Sequence, residues 1–126
     1  MEKVLITGAS GFLGSHVVKE LAALNQYEII AVTSGKRKTG FPYGVTVEEV
    51  NLLSEEARSS LLRRVKPDII CHFAWVQDNS DYRYSSENLR WLEASISLLR
   101  VFVEQGGRCF LFSGSSTEYG EGGGME

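Results

Sequence analysis

The sequence has no long hydrophobic run and no excess of positive charge, and each absence excludes a class of protein. No apolar segment approaches the roughly 18 residues that a membrane-spanning helix requires, so we do not expect an integral membrane protein. The chain has 13 Lys and Arg residues and 16 Asp and Glu residues, which gives a net charge of −3. This charge argues against binding to the phosphate backbone of nucleic acids. The N-terminus lacks the basic region, long apolar stretch and cleavage site of a signal peptide, which predicts a cytoplasmic location.

Cysteine and histidine are scarce, with two of each in the chain. Cys71 and Cys109 both lie in apolar runs, which favours buried reduced thiols over a disulfide. These four residues show none of the spacings that are typical of metal ligands, so we predict no metal site. The chain has 126 residues, of which 43% are hydrophobic and 23% charged, and this composition is typical of one folded domain.

Short strands alternate with helical segments along the whole chain. Apolar, β-branched segments indicate strands at 3–7, 28–33, 45–50, 68–73 and 108–112. This alternation predicts an α/β fold: a doubly wound parallel sheet of about five strands with helices on both faces. We assign residues 1–119 to this domain and 120–126 to a flexible glycine-rich tail.

Three helices are expected between these strands. The first, from about 12 to 25, carries an apolar stripe of Leu13, Val17, Leu21 and Leu24. Ser54 is a typical N-cap for the second helix, which ends at Pro67. The third is long and amphipathic, with apolar side chains at alternating steps of three and four residues: Leu89, Leu92, Ile96, Leu99 and Val103.

A glycine-rich turn, Thr7-Gly8-Ala9-Ser10-Gly11-Phe12-Leu13-Gly14, joins the first strand to the first helix. Gly8 permits a tight turn, Gly11 leaves room for a ligand, and Gly14 lets the helix pack closely on the sheet. The N–H groups of the helix then point at a pyrophosphate. The alternative is an ordinary turn with coincidental glycines. Because the glycine-rich turn lies between a strand and a helix, we favour a dinucleotide site in a Rossmann-type domain.

The end of the second strand selects between NAD and NADP, because an NAD site usually has Asp or Glu there to bind the ribose 2′-hydroxyl. This chain has Ser34 at that point and no carboxylate; Lys36, Arg37 and Lys38 follow. Arg37 is the best partner among these cations for a 2′-phosphate. We therefore predict NADP(H), with NAD as second choice; the alternative interpretation is a solvated basic loop.

The glycine-rich turn resembles the cofactor motif of the extended short-chain dehydrogenases/reductases, the NAD-dependent epimerase/dehydratase group. Four further segments resemble motifs of this family in order and spacing, namely Asn51-Leu52, the segment 67–74, Asn88 and the segment 112–120. A narrower likeness, to nucleotide-sugar reductases of the paratose/abequose synthase type, is carried by His72-Phe73-Ala74-Trp75 and 87–91. The resemblance implies a nucleotide-sugar substrate and hydride transfer with a nicotinamide cofactor.

The resemblance also implies roles for individual residues. Asn51 and Leu52 fall where the family contacts the adenine, although Asn replaces the usual Asp. Phe73 and Ala74 fall where the fourth strand passes beside the cofactor. The catalytic hydroxyl of the family falls on Ser115, with Ser116 as the alternative, and Ser113 lies beside the nicotinamide ribose or is structural.

One element of the family is absent from these 126 residues. Its general acid/base is a Tyr followed four residues later by Lys, and no Tyr here has Lys at that offset. The last strands and the substrate-binding region are also missing from the pattern. We therefore interpret the chain as the N-terminal portion of a longer enzyme, truncated before the last strands and inactive alone.

Several conspicuous side chains receive the plainer interpretation. We expect His72 to be a hydrogen-bonded structural residue at a buried strand end. Trp75 and Trp91 are expected to pack between the fourth strand and the long helix rather than to line a pocket. The segment 82–84, Tyr-Arg-Tyr, is expected to be an exposed loop rather than a contact to a sugar nucleotide.

Three hypotheses for function remain open at the level of the sequence. The first is the cofactor-binding portion of a nucleotide-sugar epimerase, dehydratase or reductase. The second is a non-catalytic, redox-sensing dinucleotide-binding module, which the missing Tyr and Lys favour. The third is an interaction domain whose glycine-rich turn binds nothing. We also predict a homo-oligomer, formed through the open edge of the fifth strand or through the long helix.

Overall fold

A computed structural model of the chain describes residues 1–35, 40–75 and 87–113. Its elements in chain order are β1 Glu2–Thr7, α1 Phe12–Leu24, β2 Tyr27–Thr33, β3 Thr46–Glu49, α2 Glu55–Val65, β4 Ile69–His72, α3 Glu87–Glu104 and β5 Cys109–Phe112. All strand pairs are parallel, and the sheet order is β3-β2-β1-β4-β5. The predicted five-stranded, doubly wound sheet is confirmed.

The sheet grows in two directions from β1, and this places helices on both of its faces. β2 and β3 lie on one side of β1, and β4 and β5 on the other. Since parallel crossovers are right-handed, reversing the direction of growth moves the connecting helix to the opposite face. The α1 face holds a core around Val4, Ile6 and Val18, and the α2/α3 face holds a second core around Leu5 and Leu98.

Helix ends follow the local chemistry of the sequence. The Ser54 side chain accepts a hydrogen bond from the Ala57 N–H (3.2 Å), so the predicted N-cap of α2 is confirmed. At the other end, Lys66 takes a left-handed conformation (φ +51°) and donates its N–H to the Leu62 carbonyl. This turn lets the chain enter β4 directly after Pro67.

The long helix α3 packs on the sheet through a face other than the predicted stripe. Its buried side chains are Ala94, Leu98 and Phe102. The five stripe residues, which start at Leu89 and end at Val103, are all exposed. The amphipathic helix is therefore present, but it carries two apolar faces, of which only one is covered within the described chain.

Within the described ranges, no helix is long and apolar enough to cross a membrane. The same residues include no group of three or more His, Cys, Asp or Glu side chains placed to hold a metal ion. Cys71 is buried and Cys109 half-buried, and both are free thiols, as the sequence predicted. Burial raises the pKa of the Cys71 thiol, and the neighbouring Cys109 raises it further, by a smaller amount.

Candidate dinucleotide site

A cleft of about 300 Å³ opens at the carboxyl ends of the strands, where the sheet changes its direction of growth between β1 and β4. This is the place where doubly wound sheets bind ligands. Its walls come from the glycine-rich turn, the ends of β2 and β3, the residues after β4, and the start of α3. The site therefore collects most of the segments whose sequence motifs predicted a cofactor contact.

Gly8 sits where the turn meets the chain leaving β4. Its φ is +64°, which favours glycine, and a Cβ there would lie only 2.7 Å from the Ala74 nitrogen and from the Phe73 carbonyl carbon. Both neighbours are backbone atoms, so they have no flexible side chain to move aside. Close contact between turn and β4 thus requires glycine at this position.

Gly14 and Gly11 complete the turn for two different reasons. A Cβ on Gly14 would collide with the Gly8 carbonyl oxygen, so Gly14 packs the first turn of α1 on the glycine-rich turn itself. Gly11 is the N-cap of α1, with extended backbone (φ −79°) and no side-chain cap. A Cβ there would touch only the Gly8 oxygen at 3.4 Å, an ordinary contact. The fold therefore tolerates a larger residue at position 11. The absence of a side chain at Gly11 leaves space over the N–H groups of α1.

A buried hydrogen-bond relay holds the opposite wall of the cleft. Thr7 Oγ1 accepts hydrogen bonds from the Phe73 N–H (3.0 Å) and the Ala74 N–H (3.1 Å). It lies 2.7 Å from His72 Nδ1, and His72 Nε2 lies 2.8 Å from Ser95 Oγ. Because the Thr7 oxygen already accepts two N–H groups, we assign its own proton to the bond with Nδ1. His72 is then the Nε2–H tautomer and donates to Ser95.

His72 is neutral in this relay. Burial lowers the pKa of its imidazole to about 4, and its side chain is almost completely enclosed. Both ring nitrogens are hydrogen-bonded, so the prediction of a structural histidine is confirmed. What the sequence did not reveal is that this histidine links α3, through Thr7, to the backbone at Phe73 and Ala74.

The ends of β2 and β3 form the side of the cleft that was expected to select the cofactor. Thr33 Oγ1 accepts the Gly35 N–H (3.2 Å) and donates to Ser10 Oγ (3.4 Å), which ties the end of β2 to the glycine-rich turn. Ser34 lines the cleft. The Glu49 carboxylate lies against Gly35, so close that a Cβ there would overlap it. A carboxylate therefore stands beside the end of β2 although the sequence of the β2 end itself has none.

The floor of the cleft is formed by Asn51 and Leu52, the residues that were predicted to contact the adenine. Asn51 Oδ1 accepts the Leu53 N–H (3.1 Å), which folds the side chain back over its own turn. The Leu52 carbonyl accepts a hydrogen bond from Arg58 Nη1 (2.8 Å). Arg58 is only 7% exposed and anchors this floor, a role that was not predicted from the sequence.

The two tryptophans close the far wall. Trp75 Nε1 donates to Asn88 Oδ1 (2.6 Å), and the Trp75 and Trp91 rings stack with centroids 6.4 Å apart. Both rings also line the cleft, together with Glu87. The predicted packing of the two tryptophans is confirmed, and the pair also lines the cleft, which the sequence analysis had favoured less.

The remaining predicted residues divide into two groups. Ala9 is buried under the turn, whereas Phe12 and Leu13 project from the start of α1 and are exposed. Ser113 follows β5, is exposed, and is not among the described residues that line the cleft. The others lie outside the described residues: Arg37, Ser115, Ser116 and the segment 82–84.

Comparisons with known proteins agree with this geometry. The sequence model of the NAD-dependent epimerase/dehydratase family matches residues 4–126. The UDP-glucose 4-epimerase of Azospirillum brasilense is 31% identical over 94% of this chain and 35% of its own length. The chain spans about two-fifths of the curated relatives that it matches.

Solved structures share the fold. The Bordetella bronchiseptica enzyme WbmH, in complex with NAD+, is similar with a TM-score of 0.79 at 21% identity, covering 95% of this chain and 41% of that one. The UDP-glucose 4-epimerase of Thermotoga maritima, solved with UDP-glucose, has a TM-score of 0.72 at 23% identity, covering 90% of this chain and 38% of that one. At this level of identity, the likeness supports the architecture.

Proposed function

Because this chain belongs to the NAD-dependent epimerase/dehydratase family, we propose that it forms the dinucleotide-binding portion of an enzyme that epimerises a sugar nucleotide. The observation that carries the proposal is the cleft at the switch between β1 and β4, bounded by a turn that requires glycine at Gly8 and Gly14. Such a turn brings backbone N–H groups close to a pyrophosphate. A nicotinamide dinucleotide would supply the hydride chemistry.

The residues of the cleft fit the parts of a dinucleotide in order. The pyrophosphate would lie over Gly11 and the first N–H groups of α1, which no side chain caps. The adenine would lie on Asn51 and Leu52. The nicotinamide end would run past Phe73 and Ala74, whose backbone the Thr7–His72–Ser95 relay holds in place.

We propose NAD(H) as the cofactor. Arg37, on which the prediction of NADP(H) depended, lies outside the described residues, and that prediction stays untested. Glu49 supports NAD(H), because its carboxylate lies beside Gly35, where it would repel a 2′-phosphate and would accept a hydrogen bond from a 2′-hydroxyl. The NAD+ in the complex of the similar enzyme WbmH agrees with this choice.

The catalytic part of the proposal concerns the longer protein. Ser115 would polarise the substrate carbonyl or hydroxyl, while a Tyr and Lys pair, which these 126 residues do not contain, would exchange the proton. The 126-residue chain alone is then expected to bind cofactor without turning over substrate. A cytoplasmic location is part of this proposal.

The alternative to be tested is a non-catalytic module that binds the dinucleotide in the same cleft as a redox sensor. An activity assay of the full-length protein distinguishes the two candidates. Epimerisation of a UDP-hexose, followed by chromatography of the products, supports the enzyme. Cofactor binding without turnover of any UDP- or GDP-sugar supports the sensor.

Cofactor choice is tested by calorimetric titration of the chain with NADH and NADPH side by side. We expect NADH to bind more tightly, by about tenfold or 1.4 kcal/mol. Glu49→Gln should remove most of that preference by improving NADPH binding, whereas Glu48→Gln, one residue away on β3, serves as the matched control. Tighter binding of NADPH to the unaltered chain would restore the original prediction.

A further inference from the structure

The far wall of the cleft is aromatic, and none of the contacts proposed for the dinucleotide involves it. Indole rings are large and mostly apolar, and proteins usually cover them in a core or in a binding surface. Trp75 follows β4 and is 37% exposed, yet it lines the cleft together with Trp91 on α3. Part of this indole pair is therefore available to a ligand that enters the cleft.

The two rings are held in place before any ligand binds. The Nε1–H of Trp75, its one polar group, donates to Asn88 Oδ1 (2.6 Å). Trp91 lies three residues after Asn88, on the same side of α3, and the two indole planes are 30° apart. Trp91 also packs against the core cluster that includes Leu98. A ligand that stacks on this pair therefore meets a surface that needs no reordering.

The position of the pair in the sheet identifies the half of the dinucleotide that it faces. The cleft is lined by the ends of β2 and β3 and by residues that follow β1 and β4, and by no described residue of β5. In the binding arrangement proposed for this chain, the ribose of the adenosine lies at the end of β2. The volume of about 300 Å³ is at the lower limit for ligand pockets, which suits one nucleotide better than two.

Buried apolar side chains on the sheet complete a site for a flat ring. Val32, Val50 and Leu52 line the same cleft, and all three are buried. Every nucleobase has a π-face that stacks on an aromatic side chain, and its polar edge remains free for hydrogen bonds. Apolar and aromatic lining beside the polar groups of Asn51 matches both parts of a purine.

We propose that the adenine ring of the dinucleotide stacks on the Trp75–Trp91 pair, with its polar edge toward Asn51 and Leu52. This inference rests on the proposed function, and it adds two residues that determine how tightly the adenosine half is held. Neither the indole pair nor the glycine-rich turn requires the nicotinamide half. The cleft should therefore bind an adenosine mononucleotide by itself, and a sugar phosphate without a base much more weakly.

The competing interpretation is that the indole pair only packs α3 against the residues after β4. Both rings would then contribute to the free energy of unfolding but not to ligand affinity. Substitution by leucine and by phenylalanine distinguishes the two interpretations. Leucine keeps an apolar side chain for packing, whereas only phenylalanine keeps a ring that stacks on a base.

The test is calorimetric titration of the chain with AMP, with ribose 5-phosphate as the matched ligand without a base, and with NADH. We expect AMP and NADH to bind, and ribose 5-phosphate to bind at least about tenfold more weakly. Trp75→Leu should weaken the binding of both AMP and NADH about tenfold, whereas Trp75→Phe should stay within about threefold of the unaltered chain. Trp91→Leu and Trp91→Phe should differ in the same way.

Tyr43→Leu is the control for the loss of an aromatic ring. Tyr43 is fully exposed and is not among the described residues that line the cleft, so this variant should bind AMP like the unaltered chain. Urea denaturation of each variant checks that the fold is kept. Because Trp75 is already 37% exposed, Trp75→Leu should keep its stability, and the test does not depend on Trp91 alone.

Three results would overturn the stacking while the proposed function stands, each in a chain that binds NADH. The first is AMP binding no tighter than that of ribose 5-phosphate. The second is an AMP affinity that is unchanged in both leucine variants. The third is an equal loss in the leucine and phenylalanine variants at both positions. If the unaltered chain binds neither AMP nor NADH, the proposed function fails and this inference fails with it.

Discussion

The cleft and the outer face of α3 belong to the same domain, but they constrain their residues in opposite ways. Around Gly8 the backbones of two strands and a helix meet so closely that even one added methyl group collides. On the outer face of α3, five large apolar side chains contact little of the described chain. The first region is constrained by contacts within the domain, whereas the second is not covered by the described residues.

This contrast separates two kinds of sensitivity to substitution. Changes at the close backbone contacts of Gly8 and Gly14 should cost folding free energy as well as binding. Changes on the outer face of α3 should leave folding almost intact. The same substitution should therefore change the free energy of unfolding by different amounts at a closely packed position and at an uncovered one.

The largest effect is expected at Gly8. Gly8→Ala adds a Cβ against the backbone of Phe73 and Ala74 at a positive φ, and should lower the free energy of unfolding by more than about 3 kcal/mol. Gly44 has a similar positive φ (+91°), but no atom lies within 4 Å of its Cβ position. Gly44→Ala should therefore cost only about 1 kcal/mol. Urea denaturation measures both, and equal losses would contradict the close packing of the turn.

Two adjacent leucines on α3 provide the next comparison. Leu98 is 1% exposed and packs on the sheet, so Leu98→Ala should lower the free energy of unfolding by about 3 kcal/mol. Leu99 is 40% exposed on the outer face of α3, and Leu99→Ala should cost less than about 1 kcal/mol. Urea denaturation gives both values. A larger loss at Leu99 would mean that the outer face of α3 is covered within one chain.

A smaller effect is expected from His72 and pH. The pKa of His72 is lowered to about 4 in the folded chain, below its unfolded value of about 6.5. Between these values the unfolded chain binds the extra proton, so this contribution to stability is complete above pH 6.5 and decreases as the pH falls. The loss of folding stability from this one group should be about 2 kcal/mol between pH 7 and pH 5.

The variant His72→Gln should lose this share of the pH dependence, whereas His16→Gln, at an exposed position on α1, should keep it. Denaturant titrations at several pH values between 7 and 5 compare the three chains. A slope that is the same in all three would rule out a buried neutral His72.

Much of the fold could be predicted from the sequence, because it depends on local patterns. Alternating strands and helices, the Ser54 cap and the glycine-rich turn are each specified by a few neighbouring residues. The face by which a helix packs was harder to predict. In α1 the middle of the predicted stripe, Val17 and Leu21, packs against the core, whereas its ends, Leu13 and Leu24, are exposed. The buried residues of this helix are Gly14 and Val18, and the close contact of Gly14 with the Gly8 carbonyl has no counterpart in the hydrophobic pattern.

The parts of the site that the sequence did not predict are contacts between distant segments. Glu49 reaches the end of β2 because β3 lies next to it, and Thr7, His72 and Ser95 meet only in the folded chain. Arg58 did leave a signal. It precedes Leu61, Leu62 and Val65 by three, four and seven residues, which places it on the buried side of α2.

Binding of a nicotinamide dinucleotide in the cleft is tested most directly by tryptophan fluorescence. The chain has two tryptophans, Trp75 and Trp91, and both line the cleft. Bound NADH absorbs where tryptophan emits, so titration with NADH should quench their fluorescence with saturation. Gly11→Ala should abolish the quenching while keeping the free energy of unfolding, because its Cβ fills the space over the N-terminus of α1 without a clash. Quenching that does not saturate, or that is equal in Gly11→Ala, would contradict a dinucleotide site in this cleft.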